Sequence, residues 1–252
     1  ALELDLVDPK TKINTKGPIR IGGHKINDYR NNGPELPVWQ VITESSNLGT
    51  ARIAKMIGPE KQREFLSSLG FTTPTSVEMI EASGGKPLLP KRWNELETMT
   101  ISYGHGLSAT PLHLATGYAA LANGGRLVKP TLLEGAKFDL GPQVISKEVA
   151  ENSLAMLRGV VTEGTASLAD VNGYFVAGKT GTADKPSAQG GYDKEKNITN
   201  FASIFPTHEP KYVLVVTLDE AQDTSGPEPK RTAGWTAVPV SAEIIARVAP
   251  LL

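Results

Sequence analysis

At Asn172-Gly173 the hydrophobic period of this 252-residue chain changes, and that change limits the folds open to it. Upstream, apolar residues recur at helical spacing in several segments. Downstream come short runs rich in β-branched and aromatic residues: Tyr174-Phe-Val-Ala177, Phe201-Ala-Ser-Ile-Phe205 and Tyr212-Val-Leu-Val-Val-Thr-Leu218. These predict three strands. The segments joining them are rich in Gly, Pro and Asp and lack a helical pattern, so antiparallel pairing is expected rather than βαβ crossovers. A helix over Val240 to Val248 should then cover the sheet. Helices first, then an antiparallel sheet with a helix on it, is an α+β pattern.

Along the chain this gives an extended lead-in over about residues 1–35, a mainly helical part over about 36–165 and a sheet part over about 166–252. In the helical part, Leu48 to Met56 has apolar helical spacing and stops at Gly58-Pro59. Glu60 to Leu69 follows and ends at Gly70. Thr73 to Leu96 contains Pro74, Pro87 and Pro90 and reads as a long irregular connection. Thr110 as N-cap and Pro111 in the first turn open a helix that Asn123-Gly124-Gly125 stops. Ser146 caps another, running to about Thr162. Apolar residues at 39% and charged residues at 21% fit a packed globular chain. A net charge of -1 offers no bulk attraction for nucleic acid. Cysteine is absent, which excludes disulfide and thiolate chemistry. The four histidines, His24, His105, His113 and His208, lack ligand-like spacing, and surface or capping roles are expected of them rather than metal binding. No cofactor is called for.

The stretch GYFVAGKTGTAD, residues Gly173 to Asp184, matches two motifs. From Gly173 it fits the phosphate loop G-x-x-x-x-G-K-[ST]. Such a loop must wrap a phosphate with backbone N–H groups and open a helix. Tyr-Phe-Val-Ala is strand-prone, and Asp184-Lys-Pro-Ser-Ala-Gln-Gly-Gly191 cannot begin a stable helix, so the context fails. From Lys179 the same residues read K-T-G-T. In that reading Tyr174 to Thr182 is one strand whose edge accepts a peptide by backbone pairing. Gly181 leaves room for close approach, Lys179 supplies positive charge, and the hydroxyls of Thr180 and Thr182 can bind a terminal carboxylate. The Thr182 N–H is placed to stabilise an oxyanion. Upstream, Glu44-Ser45-Ser46-Asn47 gives S-x-N at the start of a helix. Ser and Asn are ordinary N-caps, and one of them is expected to cap this helix. The functional reading makes Ser45 a proton relay and Asn47 a holder of a substrate peptide group.

S-x-x-K with S-x-N and K-T-G is the motif set of penicillin-binding proteins and class A β-lactamases. The chain resembles the transpeptidase domain of class B penicillin-binding proteins, most closely the cell-division type (penicillin-binding protein 3). The resemblance rests also on Ser45-Ser-Asn-Leu-Gly-Thr-Ala-Arg-Ile-Ala54, Tyr103-Gly-His-Gly-Leu-Ser-Ala-Thr-Pro111, Tyr118-Ala-Ala-Leu-Ala-Asn-Gly-Gly125, Gly164-Thr-Ala166, Val176-Ala-Gly-Lys-Thr-Gly-Thr-Ala183, Phe201 to Pro206 and Ala237-Val-Pro239, all in the family's order. It implies the transpeptidase fold and a site holding Ser45, Asn47 and Lys179, with Thr180, Gly181 and Thr182 binding substrate. It also implies stem peptides of peptidoglycan as substrate, β-lactams as inhibitors and cell-division membrane proteins as partners. The expected location is the periplasmic face of the bacterial inner membrane, with an N-terminal anchor outside these residues. One departure stands out. The family's nucleophile is the Ser of an S-x-x-K that precedes S-x-N, and the only S-x-x-K here, Ser83-Gly-Gly-Lys86, follows it and leads into Pro87. Two glycines and a proline cannot form the helical turn that brings Lys to Ser. The chain is therefore expected to be a C-terminal part of the domain, incomplete at its N-terminus and inactive alone. A β-lactamase-like hydrolase and a non-catalytic penicillin-binding sensor are the alternatives. The first needs a carboxylate to activate water, and the string Glu148-Val-Ala-Glu-Asn152 that mimics one falls in a predicted amphipathic helix.

Overall fold

Short antiparallel pairings begin the chain, as its Gly- and Pro-rich opening allows. The computed structural model describes residues 1–136, 140–187 and 191–251, the side chain of Lys194 excepted. Two compact units divide it, Ala1–Met156 and Leu157–Leu252.

In the first unit β1 (Lys12–Asn14) pairs with β4 (Glu35–Pro37), and β2 (Ile19–Ile21) pairs with β3 (His24–Ile26) across a Gly22-Gly23 turn. Both turn glycines have positive φ, which a side chain would strain. The helices are α1 (Val38–Thr43), α2 (Asn47–Ile57), α3 (Pro59–Ser68), α4 (Glu95–Ser102) and α5 (Pro111–Ala122). A further pair, β5 (Arg126–Val128) and β6 (Leu140–Gln143), precedes α6 (Lys147–Thr162), which starts in this unit. Helix α2 supplies two cores. Its Ile53 packs with Val7, Ile13, Leu36, Val38 and Val41, and its Leu48 and Ala51 pack with Ile26 and Met99. Gly49 permits the close approach of α1, because a Cβ there would lie 2.7 Å from a Val41 methyl.

Thr110 caps α5 as the sequence predicts, and His113 returns the bond, its Nδ1 meeting the Thr110 N–H at 3.2 Å. The Ser146 hydroxyl accepts from Val149 N–H at the head of α6. Helix α4 lies within and beyond the stretch expected to be irregular. Its signal is a capping box, Asn94 with Glu97, which the prolines nearby obscure.

In the second unit β7 (Ala177–Pro186), β8 (Tyr192–Phe205) and β9 (Tyr212–Asp219) form one antiparallel sheet in that order. The register places Lys179 opposite Ala202 and Gly181 opposite Asn200. Strand β7 is thus an edge. Helix α7 (Ala237–Val248) packs on β8 and β9, with Val238 and Ile245 buried beside the equally buried Phe201 and Ile204. One sequence expectation is corrected: the first strand starts at Ala177, not Tyr174. Gly173 has φ +88° and Phe175 has φ +45°, so residues 173–175 turn instead of extending. Thr207 holds that turn by donating both its N–H and its hydroxyl to the Phe175 carbonyl. A tertiary contact overrides the β-propensity of Tyr-Phe-Val.

Candidate active site

The central residues of β7 present the K-T-G-T side chains. Lys179 is in mid-strand, its Nζ donating to the Thr180 carbonyl at 3.0 Å. Burial pushes its ammonium pKa down to about 8, because desolvation disfavours the charged form. Thr180 and Thr182, two residues apart, share one face of the strand. The Thr180 hydroxyl pairs with that of Thr165 at 2.8 Å, and the Thr182 hydroxyl oxygen accepts from Ala233 N–H at 3.0 Å. With its oxygen held in this way, Thr182 can direct its own O–H toward an acceptor beyond the strand.

The two glycines of this strand are not alike. A Cβ on Gly178 would lie 2.5 Å from the Ala202 carbonyl and 2.7 Å from the Phe201 ring, so the sheet itself requires glycine there. A Cβ on Gly181 would meet only Asn200 Cβ, at 3.8 Å, an ordinary contact. The packing of the chain gives no reason for glycine at 181.

The S-x-N element forms the entry to α2. The helix cap is its middle residue, Ser46, where one of Ser45 and Asn47 also had the chemistry to serve. Ser46 Oγ accepts from Gly49 N–H at 3.0 Å and is buried. The flanking pair is thereby released from capping. Ser45 is exposed and left-handed at φ +58°, a conformation uncommon outside glycine. Asn47 Nδ2 donates to the Asn27 carbonyl at 3.1 Å. Asp28 closes the turn from below, with Oδ2 accepting from Ser46 Oγ at 2.7 Å and Oδ1 from Leu48 N–H at 2.8 Å. Ser45 and Asn47 therefore share one turn of the first unit, and Lys179 to Thr182 share one strand of the second. Sequence reading missed the residues that hold them. Thr165 lies in the Gly164-Thr-Ala166 block, where the motif itself assigns it no role, and neither Asp28 nor Ala233 carries any local signal.

The competing motifs lose their chemistry. Lys179 is inside a strand, whereas a phosphate loop needs it where a helix begins, and strand continues to Pro186. Residues 188–190 of the stretch expected to resist helix formation lie outside the described residues. Ser83 sits in a single 3-10 turn, Ile80–Gly84, and its hydroxyl donates to the Ile80 carbonyl. Lys86 follows that turn, with its N–H on the Gly84 carbonyl, so no helix links the two. Glu148 and Glu151 are exposed on α6, where Glu151 pairs with Lys147 at 3.6 Å.

The sequence model of the penicillin-binding protein transpeptidase domain matches residues 1–245. The chain belongs to that family. Among curated relatives, it is 31% identical over its whole length to a probable peptidoglycan D,D-transpeptidase FtsI of Caulobacter vibrioides, of which the match covers 44%. It is 33% identical over 97% of its length to the penicillin-binding protein PbpB of Mycolicibacterium smegmatis, covering 40% of that protein. The chain thus spans about two fifths of the length of these relatives. Among solved structures, the apo transpeptidase domain of penicillin-binding protein 3 from Burkholderia pseudomallei superposes with a TM-score of 0.87 at 34% identity, over 99% of this chain and 75% of that one. Penicillin-binding protein 3 of Mycobacterium tuberculosis in complex with aztreonam gives 0.82 at 27%, over 98% and 60%. The α+β transpeptidase fold expected from the sequence is the fold of this family member. Among the described residues no helix is long and apolar enough to cross a membrane.

Proposed function

We propose that the full-length protein is a peptidoglycan D,D-transpeptidase of bacterial cell division, acting on the periplasmic side of the membrane, and that β-lactams inhibit it. The observation that carries this reading is the β7 edge. It combines a desolvated lysine, two hydroxyls held by Thr165 and the Ala233 N–H, and a glycine that packing does not require. These are the elements for pairing with an extended peptide that ends in a carboxylate.

In this mechanism a stem peptide ending in D-alanyl-D-alanine lies along β7. Its terminal carboxylate meets the Lys179 ammonium and the hydroxyls of Thr180 and Thr182, and Gly181 admits its backbone. A serine outside residues 1–252 attacks the penultimate carbonyl, whose developing oxyanion the Thr182 N–H helps to stabilise. The C–N bond breaks, D-alanine leaves with a proton relayed through Ser45, and an acyl-serine remains. Asn47 holds a peptide group of the bound strand. The amine of a neighbouring stem then attacks the ester, releasing the serine with its proton and forming the cross-link. β-Lactams enter by the same acylation.

Fluorescent penicillin tests this reading. The full-length protein is expected to be labelled covalently, and Lys179→Ala to lower the labelling rate at least tenfold, an order typical of losing a charged transition-state contact. Equal labelling of wild type and Lys179→Ala contradicts the assignment of β7. Rapid hydrolysis of the acyl-enzyme favours a hydrolase, and permanent acylation without cross-linking activity favours a sensor.

A further inference from the structure

Two residues on the segment after β3 hold the S-x-N turn at three successive positions. Asp28 accepts from the hydroxyl of Ser46 and from Leu48 N–H, and the Asn27 carbonyl accepts from Asn47 Nδ2. Asn32 Nδ2 adds a third donor to Asp28 Oδ2 at 3.2 Å. A carboxylate with three donors is a fixed anchor, since each bond restrains it in a different direction. Its position matters because the turn is strained. Ser45 is left-handed without being glycine, a state that is strained for a residue with a side chain and persists where its surroundings enforce it. Among the bonds on either side of Ser45, the two to Asp28 tie Ser46 and Leu48 to a segment some twenty residues away in sequence. A carbonyl can only accept, so the bond to Asn27 also fixes which end of the Asn47 amide faces it. The amide is left with its Oδ1 and one N–H, a donor and an acceptor side by side, the complement of a peptide group.

We infer that Asp28 is a positioning residue of the transpeptidase reaction: it sets the S-x-N turn so that Ser45 and Asn47 present their side chains in register to the substrate. This rests on the function proposed above. Asp28 touches no reacting atom in this scheme and works through Asn47 and Ser45.

The test uses the full-length protein and the second-order rate of acylation by fluorescent penicillin, alongside thermal melting. Asp28→Ala is expected to slow acylation roughly 10- to 100-fold at temperatures where the variant is folded, the scale on which small misplacements of catalytic groups act. Asp28→Asn keeps an acceptor for Leu48 N–H but must donate toward Ser46, and should slow acylation about 3- to 10-fold with near wild-type melting. A double-mutant cycle separates positioning from bulk stability. In a Ser45→Ala/Asn47→Ala background, removing Asp28 should change the rate less than about threefold, because both side chains it positions are already gone. A wild-type rate in Asp28→Ala or Asp28→Asn overturns the inference, as does an equal rate loss with and without the Ser45 and Asn47 side chains. If Asp28→Ala does not fold, the Asp28→Asn rate decides alone. A normal rate in Asn47→Ala itself would sink the site assignment, an outcome distinct from additive behaviour of the pair.

Discussion

Lys179 and Gly181 are the residues at which sequence identity and local geometry most directly meet the proposed function. The Lys179 pKa of about 8 lies below its usual value of 10.5 because burial penalises the ammonium. Below pH 8 the folded protein carries that penalty in full. As pH rises from 8 toward 10.5 the folded form releases its proton while the unfolded chain keeps it, so stability rises across that window. Lys179→Met should therefore melt no lower than wild type at pH 7, with any gain bounded at ~3 kcal/mol and shrinking by pH 10. The proposed carboxylate recognition runs the opposite way, because it needs the charge. Acylation of the full-length enzyme should fall about tenfold between pH 7 and 9, as for a single proton lost near 8, and the profile should flatten in Lys179→Arg, which stays charged. The paired glycines make a second prediction. Gly178→Ala should destabilise by ~1–3 kcal/mol through its clash with Ala202 and Phe201, whereas Gly181→Ala should melt like wild type yet acylate slowly. Melting curves and acylation rates together distinguish the two. At this scale the sequence was legible for the side chains proposed to face substrate, since K-T-G-T and S-x-N are contiguous. Their supports were not legible. Asp28 lies some twenty residues from the turn it anchors, and Ala233 acts through a backbone N–H that its side chain does not reveal.

Elements with their own capping and period were readable, and those that depend on tertiary pairing were not. Helices α2, α3, α5, α6 and α7 combine apolar spacing with start or stop residues, and their predicted extents agree closely with the observed ones. The first half of β8, Tyr-Asp-Lys-Glu-Lys-Asn-Ile-Thr-Asn, is polar and carries no strand signal. It is extended because β7 pairs with it, joined by β9 only from Ile198 onward. The reverse error occurred at Tyr174-Phe-Val, where strand propensity yields to the Thr207 contact. The entry to α2 is the element on which half of the proposed site depends. Ser46→Ala removes both its cap and a donor to Asp28 and should cost ~1–2 kcal/mol, measurable by denaturant unfolding. A smaller loss would mean that the turn is held mainly by Leu48 and α1.

At the scale of the molecule, the chain carries the strand proposed to bind a carboxylate and the S-x-N turn, while its single S-x-x-K lies at a 3-10 turn rather than on a helix that could bring the lysine to the serine. The α+β class was legible in the switch of period at Gly173, and the family followed from the order of the motif blocks. The central claim is that these 252 residues recognise the acyl donor and that the acylated serine lies outside them. Mass-spectrometric mapping of the penicilloyl-serine in the penicillin-treated full-length protein tests it directly. The account predicts one modified serine outside residues 1–252, and its loss of modification at low penicillin when Lys179 is replaced by Ala. A penicilloyl group on any serine within residues 1–252, Ser83 included, would contradict it.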